Sequence, residues 1–278
     1  MRNQNIPEIF LNEAEPIPNL LIHDFKMTSD VVKSKVNLNL HLFSFLQSGS
    51  KQVHFSDNSV AVNPDQSVLL KKGNCLMTEL LMDDQIYFCK LLFFSSQSLH
   101  DFLSKHGKLE RTNTLTTDDY FTIKNDTYIN TFVDSLNAIQ KMKSKFASDL
   151  LQVKFEELLL YLLSLYGNSF ELFLRTLVSN KEESSFKTIV ETNSLSNLKL
   201  EEIAFLCNMS LSTFKRYFIK EFNESPGKWL KEKRLNRAKE LLVEGLKPSE
   251  IYYDLGYNNL SNFSIAFKKQ FEISPKEI

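Results

Sequence analysis

Two stretches near the C-terminus repeat one pattern: "LSTFKRYFIKEFNESPGKWL" covers residues 211–230, and "LSNFSIAFKKQFEISPKEI" covers residues 260–278. In each, phenylalanines recur every three or four residues, and the run ends in Phe-x-x-Ser-Pro, at Phe222 and again at Phe271, 49 residues apart. That spacing indicates an amphipathic helix, and Ser-Pro is typical of the N-cap and first residue of the next helix. The chain therefore predicts the same helix, turn and helix start twice.

A shorter apolar segment precedes each long helix: "LKLEEIAFLCN" at residues 198–208 and "KPSEIYYDL" at residues 247–255. Across these segments the repeat offset falls to 48, which indicates one inserted residue near Asn258-Asn259. An insertion inside a helix would rotate its apolar face by about 100°, so the insertion marks a turn. We predict two helix-turn-helix units, at 198–222 and 248–271.

The second helix of each predicted unit carries polar and basic residues opposite its phenylalanines. Residues 211–269 contain 12 Lys+Arg against 7 Asp+Glu, a local excess that suits a polyanion. An α-helix fits the major groove of B-DNA and reads base edges through outward hydrogen-bonding side chains. The candidate DNA-contacting residues are Ser212, Thr213, Lys215, Arg216, Lys220, Asn259, Ser261, Asn262, Ser264 and Lys268. Helix capping is the alternative role for Ser212.

A single helix is predicted between the two units, in "SPGKWLKEKRLNRAKELLVEG" at residues 225–245. Ser225 and Pro226 suit its start and Gly245 its end. Roughly 19 helical residues span about 28 Å, which would suit two reading helices about one DNA turn, ~34 Å, apart. Its Arg234 and Arg237 suit ion pairing between the units at least as well as DNA contact.

The N-terminal half has a different pattern. From about residue 20 to 95, short runs of alternating apolar and polar residues are separated by turn signals, which favours a β-barrel or jelly roll of cupin-like layout. From about residue 96 to 180, the apolar residues have helical periodicity. The polar stretch "SNKEESS" at 179–185 is the predicted boundary. We therefore predict a regulatory or dimerisation domain at 1–180 and an all-α DNA-binding domain at 181–278.

A ligand pocket in the strand-rich half is one hypothesis, with an ordinary filled barrel as the alternative. Its candidate lining residues are Phe43, Phe45, Leu70, Lys71, Lys72 and Phe88. A metal-dependent cupin enzyme is a further alternative, which would need His41 and His54 on neighbouring strands. The sequence contains no catalytic constellation and no Gly-rich phosphate loop, so we predict no catalytic, metal or cofactor site.

Composition agrees with an ordinary globular protein. The 278 residues carry a net charge of −1, so overall charge indicates no partner. Three cysteines, an odd number without zinc spacing, fit a reducing compartment. The N-terminal stretch lacks the apolar core of a signal peptide, and no run approaches the ~18 apolar residues of a membrane span. We therefore expect a cytoplasmic protein.

The segments "RLNRAKELL" (234–242) and "IYYDLGYNNLSNFSIAFKKQF" (251–271), with the final Ser-Pro, resemble the DNA-binding domain of AraC/XylS-family transcription regulators. The resemblance covers about 185–278, and the N-terminal half resembles the family's cupin-like regulatory domain in layout alone. It implies a bacterial, sequence-specific regulator that binds double-stranded DNA, activates rather than represses, and engages RNA polymerase. The N-terminal domain would act through a small-molecule effector, a partner protein or homodimerisation.

Two residues depart from the family pattern. Tyr252 stands where a small alanine is usual, and Ile265 stands where an arginine or another polar residue often faces DNA. They predict that the second helix-turn-helix unit, at 248–271, makes mostly phosphate contacts. The alternative function is a ligand- or protein-binding sensor in which the barrel half dominates and DNA binding is conditional.

Overall fold

The computed structural model describes residues 3–11, 16–82, 85–106, 118–179 and 185–278. The chain divides into two compact units, Met1–Glu182 and Glu183–Ile278. In the described residues, the first unit combines two β-sheets with helices, and the second contains helices alone. The predicted fold class, a β-rich N-terminal part and an all-α helix-turn-helix part, is therefore confirmed.

Ten described strands form two five-stranded sheets in the first unit. They are β1 (Gln4–Ile6), β2 (Leu20–Met27), β3 (Val31–Leu38), β4 (His41–Ser48), β5 (Ser50–His54), β6 (Ser59–Val62), β7 (Gln66–Leu70), β8 (Gly73–Leu80), β9 (Tyr87–Phe94) and β10 (Tyr120–Lys124). The strand orders are β1-β3-β8-β5-β6 and β10-β7-β4-β9-β2. β1 and β3 pair in parallel, whereas the other described pairs are antiparallel.

Strand alternation gives the first unit two hydrophobic cores. Along β9, Leu91 and Phe93 belong to the core between the two sheets, whereas Leu92 and Phe94 belong to the core that also contains helical residues. Successive side chains of a strand point to opposite faces, so a strand buried on both faces is apolar throughout. This explains why "KLLFF" at residues 90–94 shows no polar alternation.

The described helices of the first unit are α1 (Ser96–His106), α2 (Thr127–Gln140), α3 (Ala147–Tyr166) and α4 (Asn168–Val178). Gly167, at a φ of 55°, ends α3. The interval 96–180 is not wholly helical, because β10 pairs with β7 through Tyr120 and Leu70. Most of the predicted boundary stretch 179–185 lies outside the described residues.

The second unit contains α5 (Phe186–Thr192), α6 (Leu200–Leu206), α7 (Leu211–Phe222), α8 (Pro226–Val243), α9 (Pro248–Ile251) and α10 (Leu260–Phe271). α9 has only four residues, so the first helix of the second helix-turn-helix is shorter than its apolar pattern suggests. Across the described part of the chain, no helix combines the length and apolarity needed to cross a membrane.

Candidate nucleic-acid interface

The first helix-turn-helix consists of α6 and α7. The N-cap of α6 is Lys199, whose backbone N–H donates to the Glu202 carboxylate at 2.8 Å. Asn208 occupies the turn with a left-handed φ of 55°. Ser210 then caps α7 by accepting from the backbone N–H of Thr213 at 3.2 Å. These local bonds fix the angle at which α7 leaves the turn.

The second helix-turn-helix repeats this construction in α9 and α10. The backbone N–H of Lys247 donates to Glu250 at 2.7 Å, and Gly256 makes the turn at a φ of 80°. Asn259 caps α10, because its side-chain oxygen accepts from the backbone N–H of Asn262 at 2.8 Å. The inserted residue therefore lies before a helix start, where the sequence places it.

The two long helices are equivalent in length and termination. α7 and α10 each have 12 residues, and their C-caps, Asn223 and Glu272, are both left-handed, with φ values of 53° and 66°. Phe214 and Phe218 are buried on α7, as are Phe263 and Phe267 on α10. With one face of each helix held in a core, the opposite face projects outward.

The structure places all ten candidate DNA-contacting residues on these two helices or at the α10 cap. Eight are exposed (Ser212, Lys215, Arg216, Lys220, Asn259, Ser261, Asn262 and Lys268), and two are half-buried (Thr213 and Ser264). The Asn259 oxygen is used by the cap, and the Ser264 hydroxyl donates to the Leu260 carbonyl at 2.9 Å. Their outward hydrogen-bonding capacity is correspondingly reduced.

The exposed residues of the same helices that are absent from the candidates include Ile219, Lys269 and Ile265. The repeat offset of 49 residues relates Ile219 to Lys268 and Lys220 to Lys269. Alignment of the repeat could therefore have identified Lys269. Ile219 and Ile265 are apolar, and a search for hydrogen-bonding side chains passes over them.

Aromatic packing holds α7 against its neighbours. Phe186 of α5 contacts Phe214 and Tyr217, with ring centroids 5.4 and 4.8 Å apart. Trp229 of α8 contacts Phe222 at 4.9 Å. The phenylalanine stripe is therefore core, as predicted, and the helix preceding α6 contributes to it.

α8 connects the two helix-turn-helix units, and its two candidate arginines behave differently. The Arg234 guanidinium donates to the backbone carbonyls of Ser196 at 2.7 Å and Leu198 at 3.3 Å. Arg237 forms ion pairs with Glu240 at 2.8 Å and Glu244 at 3.6 Å on its own side of the helix. Arg234 is thus a bond between α8 and the loop before α6.

The six candidate pocket residues do not come together in the first unit. Phe43 and Phe45 lie in the core that includes the helices, whereas Leu70 lies in the core between the sheets. Phe88 is half-buried, with the Lys26 ammonium 4.7 Å from its ring centre. The Lys71 ammonium lies 3.9 Å from Asp119, and Lys72 is exposed. Strand alternation separates residues that the sequence places close together.

A buried polar cluster that the sequence did not indicate links the two sheets. Lys51 of β5 forms an ion pair with Glu79 of β8 at 3.2 Å, and the Tyr87 hydroxyl donates to Glu79 at 3.1 Å. The Lys51 ammonium also donates to the Ser44 hydroxyl at 3.2 Å. All four side chains are buried. Their polar groups satisfy one another, as buried charges require.

The histidines suggested for a metal site are separated. His41 lies on β4 and His54 on β5, in different sheets. His41 is buried, accepts from the backbone N–H of Lys72 at 3.1 Å through Nδ1, and lies 3.1 Å from the Ser96 hydroxyl through Nε2. Among the described residues, no group of three or more His, Cys, Asp or Glu side chains could hold a metal ion.

Comparison with known proteins gives matches to both units. Residues 41–173 match the ExsA N-terminal regulatory domain, and residues 203–278 match a helix-turn-helix domain. The virulence regulon transcriptional activator VirF of Yersinia enterocolitica is 30% identical over 198 residues, which cover 68% of this chain and 72% of VirF. The thermoregulatory protein LcrF of Yersinia pestis is 31% identical over 198 residues, with the same 68% and 72% coverage.

Among solved structures, apo ToxT from Vibrio cholerae strain SCE256 is similar at a TM-score of 0.43 and 15% identity, covering 95% of this chain and 97% of ToxT. The Yersinia relatives share most of their length with this chain, and the second unit carries the doubled helix-turn-helix described above. The chain belongs to the AraC family of DNA-binding transcription regulators.

Proposed function

We propose that the protein is a sequence-specific transcription activator whose helices α7 and α10 enter successive major grooves of promoter DNA. The observation that carries this proposal is that α7 and α10 each expose the face opposite their buried phenylalanines. The 18 residues of α8 span about 27 Å, which suits helices that enter grooves about one DNA turn apart. The name of the relative VirF supports activation, and an activator acts through RNA polymerase.

The exposed residues divide between base reading and phosphate contact. Arg216 can form a bidentate pair with guanine, and Asn262 can do so with adenine. Lys220 and Lys268 lie nearer the C-terminal ends of their helices and suit phosphate oxygens. Ser212, Thr213, Lys215 and Ser261 supply further donors near the N-terminal ends, where a recognition helix contacts base edges.

Selection of binding sites from random duplex DNA by the full chain tests the proposal. A preferred sequence should emerge, and Arg216→Ala should relax the preference at one position by about 1–3 kcal/mol. Lys220→Ala should weaken binding similarly across sequences. It should also reduce the slope of log affinity against log salt concentration by about one. Binding that ignores sequence even at low salt contradicts the proposal.

We further propose that the first unit acts through a second copy of the chain. Four exposed apolar residues follow a coiled-coil spacing on and just before α3: Phe146, Leu150, Val153 and Leu160. The spacing of seven residues from Phe146 to Val153 and again to Leu160 is that of a helix-pairing seam. A two-fold pairing centred on Val153 would be self-complementary. The dispersal of the candidate pocket residues favours this contact over an internal ligand.

Sedimentation of the full chain tests the second proposal. The wild type should form dimers at micromolar concentration, and Val153→Lys, whose valine is 61% exposed, should be monomeric. Val32→Lys is the matched control, because Val32 is 51% exposed but lies on β3. A dimer that persists in Val153→Lys contradicts pairing at α3. A monomeric wild type that a small molecule stabilises against heat would instead favour effector control.

A further inference from the structure

The exposed side of α10 contains one large apolar residue. Ile265 is 67% exposed, and it lies in line with Ser261 and Lys268 at spacings of four and three residues. Asn262 flanks this line and is also exposed. An isoleucine in the middle of a polar face leaves most of its apolar surface in water, so its burial on a ligand would be favourable.

The equivalent position of α7 holds a cation. Arg216 and Ile265 are each the sixth residue of a 12-residue helix that has a side-chain N-cap and two buried phenylalanines at matching positions. Each helix also presents the opposite type three residues later, because Ile219 follows Arg216 and Lys268 follows Ile265. At these two positions, therefore, each helix exposes a cation and an isoleucine, in reversed order.

The charges of α10 indicate what covers Ile265. The helix contains Lys268 and Lys269 in its last turn and no acidic residue, so its exposed face suits a polyanion. On the base edges of the major groove, the apolar group is the C5 methyl of thymine, and apolar side chains recognise thymine through it. A residue midway along a recognition helix, between Ser261 and Lys268, is placed to reach that methyl when the lysines meet the phosphates.

We propose that Ile265 determines specificity by packing against the C5 methyl of a thymine in the half-site bound by α10. This inference rests on the proposed function, because it requires α10 to lie in a major groove. It replaces the expectation that the second helix-turn-helix, formed by α9 and α10, makes mostly phosphate contacts. The two recognition helices would then select different bases, guanine through Arg216 and thymine through Ile265.

Replacement of thymine by deoxyuridine removes the methyl group and keeps every hydrogen-bonding group of the base. The probe is the duplex that the full chain selects from random DNA, with its thymines exchanged singly for deoxyuridine. Loss of one buried methyl should weaken wild-type binding about fourfold at one position. Ile265→Ala should bind the thymine duplex about as weakly as the wild type binds the uracil duplex. Ile265→Ala should also bind the thymine duplex and the deoxyuridine duplex with equal affinity.

Two control variants identify the source of the effect. Lys268→Ala should weaken binding to both duplexes by the same factor and leave their ratio unchanged. Ile219→Ala removes an isoleucine of α7 that is 51% exposed and lies about one turn nearer the C-terminal end of its helix than Ile265 does in α10. This variant should also keep the ratio of the two affinities. If a control variant also binds the thymine and deoxyuridine duplexes equally, the assignment to Ile265 is overturned.

The remaining outcomes separate the two proposals. Sequence-selective binding without any effect of deoxyuridine, or a ratio that survives in Ile265→Ala, overturns the role of Ile265 and leaves the proposed function standing. Failure of the wild type to select any sequence rejects the proposed function, and the role of Ile265 falls with it.

Discussion

The guanidinium of Arg234 lies directly against Gly256: a Cβ on this glycine would come within 2.8 Å of Nη1. Gly256 forms the turn between α9 and α10, and Arg234 also donates to the Ser196 carbonyl before α6. One α8 side chain thus contacts parts of both helix-turn-helix units. The relative placement of α7 and α10 therefore depends on a glycine at 256.

Substitution of Gly256 by alanine should destabilise the second unit by about 1–3 kcal/mol. Its φ of 80° is unfavourable for alanine, and the new methyl would displace Arg234. Urea unfolding followed by Trp229 fluorescence reports this unit, because the single tryptophan packs on Phe222. Gly227→Ala is the control, since a Cβ there meets nothing within 4 Å, and it should not destabilise. Equal effects of the two substitutions would contradict the packing role of Gly256.

Removal of Arg234 should cost more than removal of Arg237. Arg234→Ala leaves two backbone carbonyls without their charged donor, and a hydrogen bond from a charged group contributes about 1.5–3 kcal/mol. The Arg237 side chain is 37% exposed, so solvent screens its ion pairs and their loss should cost less. The same fluorescence-detected unfolding measures both variants. A larger loss in Arg237→Ala would show that the bonds to the loop before α6 contribute little.

Breaking the Lys51–Glu79 pair should destabilise the first unit strongly. Lys51→Met leaves the Glu79 carboxylate buried without its cation, which costs about 3–5 kcal/mol in comparable pairs. The double variant Lys51→Met with Glu79→Leu removes both charges and should recover most of that loss. Scanning calorimetry of the full chain resolves the affected transition. A double variant as unstable as Lys51→Met would show that the cost comes from packing and not from the unpaired charge.

Acid should weaken the first unit through His41. Burial, with Lys72 and Lys71 nearby, lowers the pKa of His41 to about 3, against 6.5 for the ordinary side chain. Between these values the unfolded chain binds a proton that the folded chain rejects. Stability is therefore complete above about pH 6.5 and decreases toward pH 3, by at most about 1.4 kcal/mol per pH unit.

The pH dependence of unfolding checks this expectation. His41→Gln lacks the titrating group, so its midpoint between pH 6.5 and 5 should change less than that of the wild type. Gln can still accept from Lys72 N–H, although the variant is expected to be less stable at pH 7. Parallel pH curves for the two proteins would rule out His41 as the source of the acid sensitivity.

The second unit could be predicted closely because its information is local. Phenylalanine spacing identified the buried faces of α7 and α10, and the inserted residue located the turn before Asn259. The cap at Lys199 was missed, since it depends on the Glu202 side chain reaching back to the backbone. The bond from Arg234 to Ser196 joins residues 38 apart, and periodicity contains no record of such a contact.

The first unit was predicted only in outline because its stability depends on distant pairs. β10 has five residues within a mainly helical interval, and its pairing with β7 connects Phe121 to Leu69. The Lys51–Glu79 pair joins neighbouring strands of one sheet, and its hydrogen bond to Ser44 reaches the other sheet. Assignment of Phe43 and Leu70 to one pocket failed because adjacent strands present those two residues to opposite cores.

The difference between Arg216 and Ile265 also has a consequence for polarity. Two recognition helices with the same side chains would select two half-sites of the same sequence. Because α7 and α10 present an arginine and an isoleucine at the same position, the two half-sites would differ, and a duplex would offer them in one order. A single bound chain would therefore have a leading and a trailing end, and the strand that carries the thymine would decide which end faces the start of transcription.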